Sequence, residues 1–199
     1  MNKKFVLLSL REDWSKKRKE INYSIDHKLI LWIEKVGLSP ILISNLSSVN
    51  FNKFNAAGVI LSGGGGIDPK SSRYKTEKKL VNWAKLKKKP ILGICHGLQF
   101  LAYLDGAKFR KISGHVRKRH KIISVKKDYI FPKIVNSYHN YSISTCPKNY
   151  EVTAYSNDRV IEGLKHKKLN WEGWMWHPER DKNFNLNLIT KARKLFKVL

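Results

Sequence analysis

The stretch that most constrains how this chain folds is residues 90–101, with the sequence PILGICHGLQFL. The apolar run before Cys95 predicts a buried strand, and the apolar spacing after Gly97 predicts a helix. Cys95 lies at the turn between them, with Gly93 and Gly97 on either side. A side chain on so sharp a turn needs neighbours without a Cβ, because larger residues would crowd the backbone. The stretch is therefore typical of a nucleophile elbow with cysteine in place of serine.

Cys95 has two interpretations at this stage. The helix that follows it points its N-terminal N–H groups and the positive end of its dipole toward the sulfur, which favours the nucleophilic thiolate. Most lone cysteines, however, are small buried core residues, and glycines also serve ordinary tight turns. The motif alone leaves both interpretations open.

The first half of the chain alternates short apolar strands with helices. Helical spacing of apolar residues ends at Gly37 in the first predicted helix, and residues 11–20 are polar and predict a loop. This alternation indicates a parallel, doubly wound α/β sheet, in which sites lie beyond the carboxyl ends of the strands. Both Cys95 and the glycine run 63–66 follow strands, so we expect them to share a site. The predicted strands are 5–10, 40–44, 56–62 and 90–94, and the predicted helices are 26–36, 76–86 and the segment after 97.

The second half of the chain, after Gly106, is richer in β-like segments. We find no repeat, no low-complexity linker and no domain boundary, so residues 1–199 are predicted to form one domain. A final helix is expected over 186–199. The predicted strands are 121–125, 130–135, 142–145, 152–155, 160–164 and 174–176.

His177-Pro178-Glu179 is the best candidate for the partner of a cysteine nucleophile. Such a nucleophile needs a base to accept its proton and a group to orient that base. At the end of an apolar segment, His177 can face Cys95 while Glu179 fixes the tautomer of the imidazole. An ordinary polar turn is the alternative for these three residues, and the motif around Cys95 favours the catalytic interpretation.

Acyl transfer also needs donors for the developing oxyanion. The N–H group of His96, the residue after the candidate nucleophile, is one by geometry. The glycine run 63–66 permits a second backbone N–H to approach closely. A phosphate cradle is the competing use of such a run, but no Gly-Lys-Ser/Thr follows it, which argues against a nucleoside triphosphatase.

The chain is strongly basic, with 40 Lys and Arg against 15 Asp and Glu and a net charge of +25. Such a field attracts nucleic acid, anionic membrane surfaces or small polyanions, but lysines scattered through the whole chain are equally typical of solvated surfaces. A non-enzymatic nucleic-acid-binding domain is a disfavoured alternative, because no DNA- or RNA-binding motif is present. We predict no nucleic-acid or membrane partner.

Two cysteines and the spacing of His, Asp and Glu support neither a disulfide framework nor a metal site, and no cofactor is predicted. The apolar run 5–10 is too short for a signal sequence or a membrane span, so a cytoplasmic location is expected.

Three blocks of the chain resemble the signature blocks of the class I glutamine amidotransferases: Ser62-Gly63-Gly64, residues 93–99 and residues 176–179. Residues 114–120 and 136–139 resemble the family's intermediate segments. The resemblance implies a flavodoxin-like fold and a γ-glutamyl thioester intermediate that water hydrolyses. It also implies roles for nine residues: catalytic Cys95, His177 and Glu179; oxyanion-hole Gly64 and His96; and substrate-binding Gly65, Gln99, Ser137 and Tyr138.

Within the family, residues 173–179 are similar to the stand-alone γ-glutamyl hydrolases, and residues 114–122 and 160–166 resemble a branch that acts on CDP-linked glutamine. The resemblance implies release of L-glutamate and cytidine diphosphoramidate for capsular polysaccharide synthesis, with other enzymes of that synthesis as candidate partners. A glutaminase subunit that supplies ammonia to a synthetase and a γ-glutamyl-GABA-type hydrolase are the alternatives.

A nucleotide-linked substrate would bring phosphates to the site. Three arginines near residues 114–115 are predicted to contact them, with a solvated loop as the alternative: Arg110, Arg117 and Arg119.

Overall fold

The structure is a computed structural model that describes residues 4–46 and 48–198. Within these residues the chain alternates strands and helices up to about residue 104 and then consists mainly of strands, with a helix near its end. Short 3₁₀ turns lie at Phe51–Phe54 and Pro178–Arg180. The elements are β1 Lys4–Ser9, β2 Arg11–Ser15, β3 Glu20–Ser24, α1 His27–Val36, β4 Leu38–Ile43, β5 Gly58–Leu61, α2 Ser72–Leu86, β6 Ile91–Ile94, α3 His96–Leu104, β7 Phe109–Lys111, β8 Val116–Ser124, β9 Ile134–Tyr138, β10 Tyr141–Ile143, β11 Tyr150–Ser156, β12 Ile161–His166, β13 Trp171–Trp174 and α4 Leu186–Phe196.

The main sheet has nine strands in the order β4-β1-β5-β6-β13-β12-β11-β8-β9. The first five are parallel neighbours, and the other four extend the sheet in antiparallel fashion. The chain moves outward from β1 to β4, but in the opposite direction from β5 to β6. Since parallel crossovers are right-handed, this reversal places α1 and α2 on opposite faces of the sheet. The predicted doubly wound, flavodoxin-like α/β fold is confirmed.

The central strands are buried on both faces, which explains their continuous apolar sequences. All four residues of β5 and of β6 are buried. On one face α1 packs against α4, and on the other α2 and α3 meet through an edge-to-face contact of Tyr74 with Phe100.

Helix α1 is bounded by the residues that its sequence predicts. Asp26 accepts a hydrogen bond from the backbone N–H of Lys28, and Gly37 ends the helix in the left-handed conformation at a φ of +97°. The helix buries an apolar stripe that includes Trp32 and Ile33, so the prediction of a helix over 26–36 is confirmed.

The predicted loop over 11–20 is wrong, because β2 and β3 form an antiparallel hairpin there. Its cross-strand pair Trp14 and Ile21 is mostly exposed, so the hairpin lacks the buried alternation that marks a strand in sequence. The strand predicted over 130–135 begins only at Ile134 and continues to Tyr138. Among the described residues, we find no helix long and apolar enough to cross a membrane.

Candidate active site

Three neighbouring parallel strands end at one edge of the sheet and bring the predicted site residues together. Gly63 follows β5, Cys95 follows β6, and His177 lies three residues beyond the end of β13. Because β5, β6 and β13 are adjacent and parallel, their carboxyl ends lie side by side. The three segments that the sequence links only by motif thus meet in space.

Cys95 has the strained backbone of an elbow, with φ +50° and ψ −99°. Non-glycine residues at positive φ are uncommon, and such strain is typical of functional turns. Its N–H group donates to the carbonyl of Trp174 at 2.7 Å, which anchors the turn to the neighbouring strand. A Cβ on Gly93 would lie 2.6 Å from the backbone of Gly97, and one on Gly97 would lie 2.3 Å from the carbonyl oxygen of Leu61. Any larger residue at either position would therefore clash with the backbone.

His177 and Glu179 form a buried pair, with 2.7 Å between His177 Nδ1 and Glu179 Oε1. Burial lowers the pKa of His177, but the charge and hydrogen bond of Cys95, together with Glu179, outweigh burial and raise it to about 9. The imidazole thus lies between the thiol and a carboxylate that holds its Nδ1. This arrangement is able to carry a proton between Cys95 and a leaving group.

The position of the His177 ring depends on two residues other than Cys95 and Glu179. Gly63 lies against it so closely that a Cβ there would be 2.5 Å from His177 Cε1. Asn136 holds the backbone on both sides, because it accepts from the His177 N–H at 3.0 Å and donates to the His177 carbonyl at 2.8 Å. Asn136 falls in the 136–139 segment noted in the sequence, but its clamp on His177 was not predicted.

Cys95 opens into a cleft of about 650 Å³. Gln99 reaches across its base and donates from Nε2 to the carbonyl of Tyr141 at 3.0 Å. Ser137, by contrast, is fully buried, and its hydroxyl donates to the carbonyl of His115 at 2.7 Å. The cleft is lined by Gly64, Gly65, Gly66, Ile67, Cys95, Gln99, Tyr103, Phe109, Tyr138, His139, Asn140 and Tyr141.

A buried polar network beneath the cleft was missed in the sequence. Glu77 accepts from Arg73 Nε at 3.0 Å and lies 2.9 Å from His96 Nε2. Arg73 in turn donates to the carbonyls of Ser62 and Gly64, and so fixes the glycine turn that faces Cys95. The i,i+4 spacing of Arg73 and Glu77 was the available signal, but in a lysine-rich helix it is also typical of a solvated pair.

The three arginines predicted to bind phosphate are exposed and are not among the residues that line the cleft. Arg119 pairs with Asp181 at 2.8 Å, and Arg110 donates to Ser142 at 3.3 Å. Arg117 lies at a bulge of β8 with a φ of +54°. Two other arginines contact residues that line the cleft: Arg11 packs against Gly64, and the Arg180 guanidinium lies 4.4 Å from the centre of the Tyr138 ring.

Comparison with known proteins identifies the family of the chain. The family model for the class-I glutamine amidotransferases matches residues 19–190. The chain belongs to the class-I glutamine amidotransferase family. It is 30% identical to the gamma-glutamyl-CDP-amidate hydrolase of Campylobacter jejuni over 161 residues, which cover 78% of each chain. It is also 30% identical to a subunit of the glutamine-hydrolyzing GMP synthase of Methanococcus aeolicus over 139 residues, 67% of this chain and 70% of the relative.

The fold is found in solved structures of the same family. A glutamine amidotransferase from Thermotoga maritima superposes with a TM-score of 0.68 at 19% identity, over 99% of this chain and 84% of that one. As a member of the family, the chain is an enzyme that hydrolyses carbon–nitrogen bonds of amides.

Proposed function

We propose that this protein is a free-standing, cysteine-dependent γ-glutamyl amidohydrolase whose substrate is glutamine linked to a nucleoside diphosphate, CDP-linked glutamine in particular. The observation that carries the hydrolase proposal is the strained Cys95 beside the buried His177–Glu179 pair. The nucleotide part is supported by similarity to the Campylobacter jejuni hydrolase and by the size and lining of the cleft.

In the proposed reaction, the Cys95 thiolate attacks the γ-carbonyl carbon, and the carbonyl electron pair moves to oxygen. When the intermediate collapses, the C–N bond breaks and the His177 imidazolium gives its proton to the departing nitrogen. The neutral imidazole then accepts a proton from water, which attacks the thioester. Glutamate leaves, the Cys95 sulfur is released, and Glu179 keeps His177 in one tautomer throughout.

The oxyanion would be held by two backbone N–H groups, those of His96 and Gly64. His96 is the first residue of α3, where N–H groups have no partner within the helix. Gly64 lines the cleft with a φ of +87°, and Arg73 fixes its carbonyl, so the peptide is positioned before substrate arrives. Gly65, Gln99 and the backbone at Ser137 and Tyr138 are proposed to hold the glutamyl amino and carboxylate groups.

A cleft of about 650 Å³ is far larger than a glutamyl group needs, since sites of roughly 300–1,000 Å³ hold drug-sized ligands. Its wall includes Tyr103, Phe109 and Tyr141, which offer faces on which a nucleobase stacks. Arg11 lies beside Gly64 and Arg180 lies beside Tyr138, two residues that line the cleft. A pyrophosphate would be attracted by these two cations, and Arg110, Arg117 and Arg119 stay candidates for contacts at the outer edge.

We expect the purified chain alone to release glutamate from CDP-linked glutamine at least about tenfold more efficiently, in kcat/KM, than from L-glutamine or γ-glutamyl-GABA. The reason is that only the CDP-linked substrate makes the additional contacts of the nucleotide. Each about 1.4 kcal/mol of transition-state binding from such contacts raises kcat/KM about tenfold. Coupled detection of glutamate provides the measurement.

Preference for γ-glutamyl-GABA would contradict the nucleotide proposal and favour the general γ-glutamyl hydrolases. If the chain alone hydrolyses none of the three substrates, a role in supplying ammonia to a synthetase is favoured, in keeping with the similarity to a subunit of a GMP synthase. Arg110→Ala, Arg117→Ala and Arg119→Ala test the outer contacts: an unchanged KM for the nucleotide conjugate in all three variants rejects them.

The rate should fall above about pH 9, because His177 then loses the proton that it must give to the leaving nitrogen. Because Cys95 and Glu179 raise the pKa of His177 in the folded protein, their interactions with its protonated ring also stabilise the fold. This contribution is complete below pH 6.5, the usual pKa of histidine, and is lost as the pH rises through about 9. A profile of kcat/KM that extends on both sides of this value measures the descending limb.

Glu179→Gln is the informative variant for this profile. It removes the negative charge beside His177 Nδ1 and keeps the shape of the side chain, so the descending limb should move to lower pH. A limb that stays in place in Glu179→Gln would assign it to another group.

A further inference from the structure

A second cluster of ionisable side chains lies in the antiparallel half of the sheet, apart from Cys95. His115 precedes β8, His120 lies on β8, His139 follows β9, and Glu162 lies on β12. Glu162 is fully buried, and His115 and His139 are 3% and 4% exposed. These residues come from three separate parts of the chain, which is why no short spacing in the sequence reveals them.

The polar atoms of this cluster face each other at ion-pair distances but without well-formed hydrogen bonds. Both carboxylate oxygens of Glu162 and the Nε2 atoms of His120 and His139 are buried and have no hydrogen-bond partner among the described residues. Leaving so many polar groups unsatisfied costs about 1–3 kcal/mol each, and native proteins rarely tolerate it without water or an ion.

The ligand atoms of His115, His120 and Glu162 lie within 4.8 Å of one another, close enough to gather around one metal ion, and His139 Nε2 lies beside Glu162. Glu162 Oε1 lies 3.4 Å from His115 Nδ1, 3.5 Å from His120 Nε2 and 3.3 Å from His139 Nε2. Ligand atoms at 2.0–2.2 Å from a tetrahedral zinc ion are separated by about 3.3–3.6 Å. The same values are long for hydrogen bonds.

The far sides of two imidazoles are held as metal-binding histidines usually are. His115 Nε2 lies 2.9 Å from the carboxylate of Asp158, and His139 Nδ1 lies 3.0 Å from the carbonyl of Tyr141. A hydrogen bond at one ring nitrogen fixes the tautomer and leaves the lone pair of the other nitrogen directed at the metal.

We propose that these three histidines and Glu162 bind one zinc ion. Imidazole nitrogens suit Zn²⁺, whereas Mg²⁺ and Ca²⁺ prefer sets of oxygen ligands. With His139 as the fourth protein ligand, the tetrahedral site would be closed to substrate and the ion would be structural.

The site would stabilise the wall of the cleft. His139 itself lines the cleft, and the carbonyl of Tyr141, two residues on, accepts hydrogen bonds from both His139 and Gln99. The backbone carbonyl of Glu162 accepts from Met175, two residues before His177. Zinc would thus tie the antiparallel strands to the substrate-binding segment and to the strand end that carries His177.

The test is metal content and spectroscopy on tag-free full-length protein. After incubation with ZnCl₂ and gel filtration, elemental analysis should find about one zinc per chain, and Co²⁺ should give the intense visible absorption of a tetrahedral site. Since a Cys–His pair also binds zinc, the reference protein is Cys95→Ala, which must retain the full zinc content. Zinc should also raise Tm, and a chelator should reverse the rise.

Glu162→Gln and His120→Gln, each in the Cys95→Ala background, should weaken zinc affinity at least about tenfold and abolish the cobalt spectrum. His120→Gln is the second variant because His120 is partly exposed and its loss disturbs packing least. His27→Gln, which changes an exposed histidine, is the matched control and should bind as Cys95→Ala does. Zinc binding unchanged in both cluster variants, or no zinc retained by Cys95→Ala, overturns the proposal.

Discussion

Replacing Cys95 by alanine is expected to lower kcat for γ-glutamyl hydrolysis by at least about 10³-fold, since the proposed thioester cannot form without the Cys95 sulfur. The fold should remain, because Cys95 is held by its backbone N–H and by the two neighbouring glycines, while its side chain faces the cleft. Alanine keeps the Cβ of cysteine, so the strain of this turn at positive φ stays essentially as it is. Steady-state kinetics and a thermal melt of the same preparation measure both effects.

Cys146→Ser is the matched control, because this second cysteine is exposed and its Sγ contacts backbone carbonyls of its own loop. It should keep activity within about twofold. Cys95→Ser adds a second check, since serine preserves size but is a poor nucleophile beside this base. Turnover like that of the unchanged protein in Cys95→Ala or Cys95→Ser would refute the cysteine mechanism.

The parallel half of the sheet could be predicted because its signals are local. Strands buried on both faces are continuous apolar runs, and α1 carries both its caps, Asp26 and Gly37, in sequence. The elbow was predictable for a similar reason, because the glycines around Cys95 satisfy a steric need that is local to the turn.

What the sequence did not reveal depends on contacts between distant segments. The β2–β3 hairpin leaves its apolar pair Trp14 and Ile21 mostly exposed, and its Arg11 contacts the glycine turn only after folding. Glu162 and its histidines come together through strand pairing, which has no local signature. The candidate phosphate-binding arginines were chosen by nearness in sequence to residues 114–115, and cleft-side cations such as Arg180 come from elsewhere in the chain.

Replacing Glu77 is expected to lower both the free energy of unfolding and the activity, although Glu77 is not proposed to touch substrate. Glu77→Gln removes a charge that lies against buried Arg73, and breaking such a pair costs about 3–5 kcal/mol of unfolding free energy because an uncompensated charge stays buried. Activity should fall as well, since Arg73 holds the glycine turn and Glu77 holds His96 behind Cys95. Urea denaturation and kinetics on the same variant measure the two losses.

The pH dependence of this loss identifies its cause. Burial raises the pKa of Glu77, but Arg73 and the hydrogen bonds from His96 and Ser9 outweigh it and hold the pKa below its usual value of 4.5. A lowered pKa stabilises the fold above pH 4.5 and loses this effect as the pH falls below it, so the difference from Glu77→Gln should shrink in acid. Glu34→Gln, on the exposed side of α1, is the control and should stay within about 0.5 kcal/mol.

A double-mutant cycle separates the ion pair from simple packing. The loss of unfolding free energy in Glu77→Gln is expected to come from the Arg73 guanidinium, which stays buried without its carboxylate. In that case Arg73→Met combined with Glu77→Gln must be less destabilising than the sum of the single changes, by about 1–3 kcal/mol. Strict additivity would mean that the two side chains contribute independently. In that case the glycine turn facing Cys95 would owe its position to Arg73 alone, and Glu77 would act only through His96.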